Sequence, residues 1–252
     1  MTDGRSGGVT PETIVGLFIP CFVDQCRPDI AAAMVRVLER CGFRVHFDPL
    51  QTCCGQPAFN SGHDRYAAAV GRCLLHVLSR YDVVVAPSGS CVSMVRHRLP
   101  ELVPDQAGVC GRVWELCEFL ANEQATSRID ATWAGRVALH MPCHLLRELR
   151  AASAVRAVLA SVRGLEVVEL PSSEWCCGFG GMFAVEFPEL STAMARTKLT
   201  QVMNAGIDTI VSPEASCLLQ LECVARAAQL PLRFRHVAEL LAGAETPLFS
   251  GC

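Results

Sequence analysis

The sequence predicts an α/β protein of two pseudo-symmetric halves, each a βαβ-type unit with a mainly parallel sheet and a metal site at its strand-to-helix ends. Three observations predict it. Short β-branched runs alternate with stretches of helical spacing along the whole chain, which is the pattern of parallel βαβ units. The order Cys … Cys-Cys-Gly … Cys occurs twice. Thirty-one residues separate Cys21 from Cys53 and thirty-six separate Cys54 from Cys91, against thirty-two from Cys143 to Cys176 and thirty-nine from Cys177 to Cys217. In both halves these cysteines fall where predicted strands end and helices begin, the usual place for a site in an open α/β sheet.

The first half is expected over 12–125. Thr13 to Ile19 reads as a buried strand delivering Pro20-Cys21. Pro28 to Arg40 has helical spacing, with Pro28 suited to the first turn, and Cys41-Gly42 ends it. Phe43 to Phe47 is a second strand, and the loop from Pro49 to Pro57 carries the first cysteine pair. A helix is expected from His63 to Arg80, then a β-branched strand, Asp82 to Ala86, leading into Pro87-Ser88-Gly89-Ser90-Cys91. Val92 to Leu99 reads as helix, Pro100 to Gly111 as irregular, and Val113 to Gln124 as a closing helix.

The polar run Thr126 to Asp130 marks the boundary, and the second half is expected over 134–242. Arg136 to His140 is a strand delivering Pro142-Cys143, with helical sequence to Val162. Gly164 turns into a strand as Gly42 does. Pro171 leads into Cys176-Cys177-Gly178, and Phe187 to Ala205 is a helix. Asp208-Thr209-Ile210-Val211-Ser212-Pro213-Glu214-Ala215-Ser216-Cys217 repeats the register of Asp82 to Cys91, with Asp, Val, Pro, Ser and Cys shared at the same spacing. Leu218 to Gln229 continues as helix, Leu232 to Phe234 adds a strand, and a last helix ends near Leu241. Residues 1–11 and 243–252 are expected to be tails.

The 252 residues include 51% hydrophobic residues, and the formal charge is -3. That balance gives no surface for nucleic acid or membrane. The apolar runs are too short for a transmembrane helix, and Met1 to Pro11 lacks the regions of a signal peptide. Fifteen cysteines in such a chain point to metal binding in a reducing cytoplasm rather than to a disulfide framework. Adjacent thiols followed by glycine are awkward as packing, whereas as metal ligands both can turn onto one centre while glycine lets the backbone approach. The expected ligands are Cys21, Cys53, Cys54 and Cys91, then Cys143, Cys176, Cys177 and Cys217. Four thiolates suit an iron–sulfur cluster, and also a structural zinc.

The remaining thiols have simpler readings. Cys41, Cys73, Cys117 and Cys223 read as small core residues, Cys110 as a turn residue and Cys252 as part of a tail. Cys26, five residues beyond Cys21, is the one candidate extra ligand. Around the sites, Gly55 and Gly178 support the pairs. His144 is placed to hydrogen-bond a metal-bound sulfur, and Ser90 and Ser216 to cap the following helices or to donate to the centres. His140 reads as structural. Gly178-x-Gly180-Gly181 follows a cysteine pair rather than a strand and lacks the full dinucleotide pattern. No nucleophile–base set or carboxylate clamp is identifiable.

The chain resembles the cysteine-rich CCG-domain family, which includes a cysteine-rich component of heterodisulfide reductase and the iron–sulfur subunit of glycolate oxidase. The resemblance lies in Cys53-Cys54-Gly55-Gln56-Pro57-Ala58 with Asn60-Ser61-Gly62, and in Cys143-His144-Leu145-Leu146-Arg147. It continues in Cys176-Cys177-Gly178-Phe179-Gly180-Gly181-Met182-Phe183, Phe187-Pro188-Glu189 and His236-Val237-Ala238-Glu239-Leu240-Leu241. Among its members the chain is most similar to those of lactate utilization. The resemblance implies an iron–sulfur electron-transfer subunit, with two [4Fe-4S] clusters, in an L-lactate oxidation system yielding pyruvate. It also implies two companion proteins, one of them ferredoxin-like. Another 2-hydroxy acid such as glycolate is the alternative substrate, and a zinc-binding structural protein the alternative class. One departure stands out. Heterodisulfide reductase relatives end each half in Cys-x-x-Cys, which can wrap a noncubane cluster pair. Here the earlier cysteine is replaced by Ser88 and Glu214, which argues against that cluster and against disulfide reduction.

Overall fold

The computed structural model describes residues 13–243. The expected tails, 1–11 and 243–252 with Cys252, lie outside that range except for Gly243. The first half runs β1 (Ile14–Leu17), α1 (Cys21–Cys26), α2 (Pro28–Arg40), β2 (Arg44–Phe47), α3 (Gln56–Asn60), α4 (Asp64–Leu78), β3 (Val83–Ala86), α5 (Gly89–Ser93), α6 (Leu99–Leu102), α7 (Ala107–Cys110), β4 (Val113–Glu115) and α8 (Leu116–Asn122). The second runs β5 (Thr132–Leu139), α9 (Cys143–Arg147), α10 (Ala152–Ala160), β6 (Arg163–Val168), α11 (Met182–Glu186), α12 (Pro188–Asn204), β7 (Thr209–Ser212), α13 (Ala215–Ala227), β8 (Arg233–His236) and α14 (Val237–Ala242). Each half has a four-stranded, all-parallel sheet, in the orders β2-β1-β3-β4 and β6-β5-β7-β8.

Strand alternation sorts the core into layers. Val15, Leu17 and Val85 face one way, and Phe18, Val84 and Ala86 the other. The first face joins Val137 and Leu139 of β5 in one core shared by both halves. That core is filled by Ile30, Met34 and Leu38 of α2, Phe119 and Leu120 of α8, Val155 and Leu159 of α10, and Leu240 and Leu241 of α14. The helices between the sheets meet as α2 on α14 and α8 on α10. Because α10 is the counterpart of α2 and α14 that of α8, each contact is the other's image, the signature of a two-fold interface. The two contacts differ in charge. Arg27, just before α2, reaches Asp29 and, across the seam, Glu239 of α14, each at 2.9 Å.

Three expectations need correction. The helix expected from Val113 to Gln124 begins instead with β4, whose Val84–Val113 pairing completes the sheet. A three-residue strand is too short to display a period, and its Glu115 then caps α8. Pro100 to Gly111, expected to be irregular, contains α6 and α7, so Cys110 closes a helix and is buried. Cys73 and Cys223 are exposed rather than core residues, whereas Cys41 and Cys117 are buried as expected. Cys73 falls outside the buried stripe Ala67, Gly71, Leu74, Leu75 and Leu78 of α4.

Candidate metal centres

Both candidate centres sit at the C-terminal ends of the strands, at the point where connections leave the sheet in opposite directions. Cys21 opens α1 after β1, Cys91 lies in α5 after β3, and the Cys53-Cys54 pair lies between β2 and α3. The sulfur of Cys21 lies 3.5 Å from that of Cys53, and that of Cys54 lies 3.5 Å from that of Cys91. In the second half Cys177 and Cys217 approach to 3.0 Å. Gly55 and Gly178 adopt positive φ, 85° and 88°, and their N–H groups point at Cys53 Sγ (3.4 Å) and Cys176 Sγ (3.3 Å). A side chain is excluded at both places on two counts. The conformation favours glycine, and a Cβ would stand 2.8 Å from the Ala67 carbonyl or 2.4 Å from that of Ser191.

The protons are arranged alike in the two quartets. Hydrogen bonds from Cys21 and then Cys54 hold the Cys53 thiol far below its ordinary range. Sharing with Cys53 and then burial push Cys21 up, and Cys54 is raised by Cys53, Cys91 and burial. Cys176 is lowered in the same way by Cys143 and then Cys177, which are themselves raised. In each set one thiol is lowered and two of its neighbours are raised, and a metal would displace the protons those neighbours hold. Four sulfur donors from three chain segments, with an N–H aimed at one of them, fit an iron–sulfur cluster or a thiolate zinc.

Behind the sulfurs the halves part company. Three residues before Cys21 stands Phe18, and three before Cys143 stands His140. Seven residues beyond Ala67, which abuts Gly55, stands Leu74, and seven beyond Ser191, which abuts Gly178, stands Lys198. All four are buried. His140, expected to be merely structural, has a ring nitrogen clustered with the sulfurs of Cys177 and Cys217, the three atoms lying within 4.8 Å of one another. Burial and then the Lys198 charge push its pKa down to about 3, so the imidazole is neutral. Neither ring nitrogen makes a hydrogen bond of good geometry within the protein. The neighbouring Ser173 backbone acts on the imidazole, and its carbonyl also accepts from Met141 N–H at 2.9 Å and from the Lys198 ammonium at 3.4 Å. Each buried orphan of this kind costs about 1–3 kcal/mol.

The remaining expected site residues are distributed as follows. His144 Nδ1 lies 3.7 Å from Cys143 Sγ, and its Nε2 lies 3.9 Å from Glu148. Ser90 and Ser216 do not cap their helices, because α5 and α13 begin earlier than expected. Ser88 caps α5 by accepting from Cys91 N–H at 3.3 Å. Ser88 and Glu214, the two departures from Cys-x-x-Cys, form a bridge across the seam. The buried Glu214 carboxylate accepts from Ser88 Oγ (3.0 Å), Ser90 N–H (2.9 Å) and Ser216 Oγ (3.1 Å). Cys26 ends α1, and five helical residues turn it about 140° from Cys21.

On one side of the seam Phe22, beside Cys21, packs edge-on against Phe179, beside Gly178, with ring centroids 5.3 Å apart. The counterparts of these residues are His144 and Gln56. They line a polar cavity of about 100 Å³ together with Asn60, Arg98 and Glu148.

The cysteine-rich domain called CCG matches residues 15–96 and again 137–222. The chain belongs to the CCG family. Each CCG match takes in the C-terminal part of one sheet's first strand, its next two strands and the four thiols at their ends. The lactate utilization protein A of Halalkalibacterium halodurans is 34% identical over 234 residues, covering 90% of this chain and 96% of that one. That of Geobacillus kaustophilus is 35% identical over 235 residues, covering 90% and 98%. A crystal structure of a hypothetical protein from Helicobacter pylori shares the fold at 9% identity, with a TM-score of 0.55 over 94% of this chain and 50% of that one.

Proposed function

We propose that this chain is an iron–sulfur electron-transfer subunit of a cytoplasmic lactate-oxidising system, carrying one [4Fe-4S] cluster in each half. The observation that carries the reading is the duplicated quartet: Cys21, Cys53, Cys54 and Cys91 against Cys143, Cys176, Cys177 and Cys217, on matched strand ends in a chain similar to lactate utilization proteins A. The Phe22–Phe179 contact supports passage of electrons between the centres, since Phe22 adjoins Cys21 and Phe179 stands two residues from Cys177. Companion proteins, one of them ferredoxin-like, would supply the remaining steps from lactate to pyruvate.

The polar cavity supports a carrier rather than a lone oxidase. Its Arg98 guanidinium lies 4.0 Å from Glu148, so the cation that could hold a substrate carboxylate already faces one. Among the described residues no helix is long and apolar enough to cross a membrane. A zinc reading draws on the close sulfur pairs, because donors at 3.0–3.5 Å resemble ligands sharing one tetrahedral ion. Growth of a deletion strain on lactate, glycolate and glucose tests the function. Loss of growth on lactate alone is expected; normal growth on lactate refutes the assignment, and loss on glycolate instead changes the substrate.

A further inference from the structure

The two quartets are alike, but their surroundings are not. Lys198 is 3% exposed, and its ammonium donates to the carbonyls of Ser172 and, at 3.4 Å, Ser173. It lines the same small cavity as His140. Its electrostatic partners are the sulfurs of the second quartet. A buried cation is tolerated only where such compensation exists. His140 lies between, 2% exposed, with one ring nitrogen beside the sulfurs of Cys177 and Cys217. A neutral imidazole carries one N–H donor and one acceptor, and here the second centre is the group positioned to engage one of them. The first half has Phe18 and Leu74 in these places, neither of which brings charge or hydrogen bond.

Hydrogen bonds to sulfur and added positive charge both favour the reduced state of a cluster. We propose that His140 contacts the second centre directly and that, with Lys198, it gives this centre a higher reduction potential than the first. The inference rests on the iron–sulfur reading above. It assigns the first centre as the stronger reductant and the second as the one that holds an electron longer.

Potentiometric titration of the anaerobic full-length protein, followed by electron paramagnetic resonance, tests this. Cys54→Ala, which removes a first-site ligand, identifies which signal belongs to which centre. The wild type should show two separated potentials with the second centre higher. Lys198→Met should lower the second potential towards the first, and Lys198→Arg should preserve the gap. Protein labelled with ¹⁵N-histidine in a His144→Gln background, which removes the other histidine beside the centre, should show nitrogen coupling to the second centre, lost when His140→Phe is added. Equal potentials in the wild type, an unchanged gap in Lys198→Met, or no nitrogen coupling in the His144→Gln protein would overturn the proposal while leaving two clusters in place. Absence of any reducible iron centre would overturn this proposal and the functional reading together.

Discussion

The halves share strand order, quartet geometry and the glycine behind each cysteine pair, yet differ at several buried positions free of those duties. The helices α8 and α14 show this most simply. Both begin with a capping box, but the cap is Glu115 in the first half and His236 in the second. Glu115 Oε2 accepts from Cys117 and Glu118 N–H, and His236 Nδ1 accepts from Ala238 N–H. Any acceptor at that point satisfies the helix terminus, so residue type can drift while geometry holds. At the thiols it cannot. The comparison therefore separates what the centres require from what each half merely tolerates.

The largest effects should come from the thiols. Cys54→Ser and Cys177→Ser should each remove one centre and spare the other, since serine oxygen is a poor ligand for iron. Metal analysis of the two variants checks this, and loss of both centres from one substitution would break the independence of the halves. Glu214→Ala comes next, because it leaves Ser88 Oγ, Ser90 N–H and Ser216 Oγ without their shared acceptor at the seam. A cost of about 2–4 kcal/mol is expected, or roughly a 5–10 °C lower melting temperature for a chain of this size. A change within 1 °C would mean the bridge contributes little.

The caps predict opposite pH limits. Burial raises Glu115 from 4.5 to about 8, so its contribution to stability is full below pH 4.5 and lost as pH rises through about 8. Burial lowers His236 from 6.5 to about 4, so its contribution is full above pH 6.5 and lost as pH falls through about 4. Each is worth on the order of a few kcal/mol. In urea titrations across pH, Glu115→Gln should flatten the alkaline limb and His236→Asn the acid limb. Identical profiles for both variants would contradict the assignment. The smallest effects concern spare thiols. Cys117→Ala should cost about 1 kcal/mol, since it is fully buried while its counterpart is already Ala238. The exposed Cys73→Ala should change stability by no more than about 0.5 kcal/mol. Chemical denaturation of both distinguishes them.

The parallel halves and both quartets were legible because they repeat. Cys21 and Cys143 each follow a proline at a strand end, and the Asp82–Cys91 and Asp208–Cys217 segments align without a gap. What could not be read was whatever depends on the partner across the seam. Nothing near Ser88 in sequence announces Glu214, 126 residues away. His140 reads as structural because it sits at a strand end, and nothing in its local sequence announces that sulfurs stand beside it. The signal lay in the repeat itself: aligning the halves sets His140 on Phe18 and Lys198 on Leu74, polar against apolar at buried places. Strand β4 was missed for a local reason, three residues being less than a readable period.

Analysis of iron and acid-labile sulfide in strictly anaerobic protein tests the central claim most directly. Cys21 is solvent-exposed, so oxygen must be excluded throughout. Two four-iron clusters predict about eight iron and eight sulfide per chain, with a chromophore bleached by dithionite. Zinc alone, without sulfide or a reducible chromophore, would contradict it.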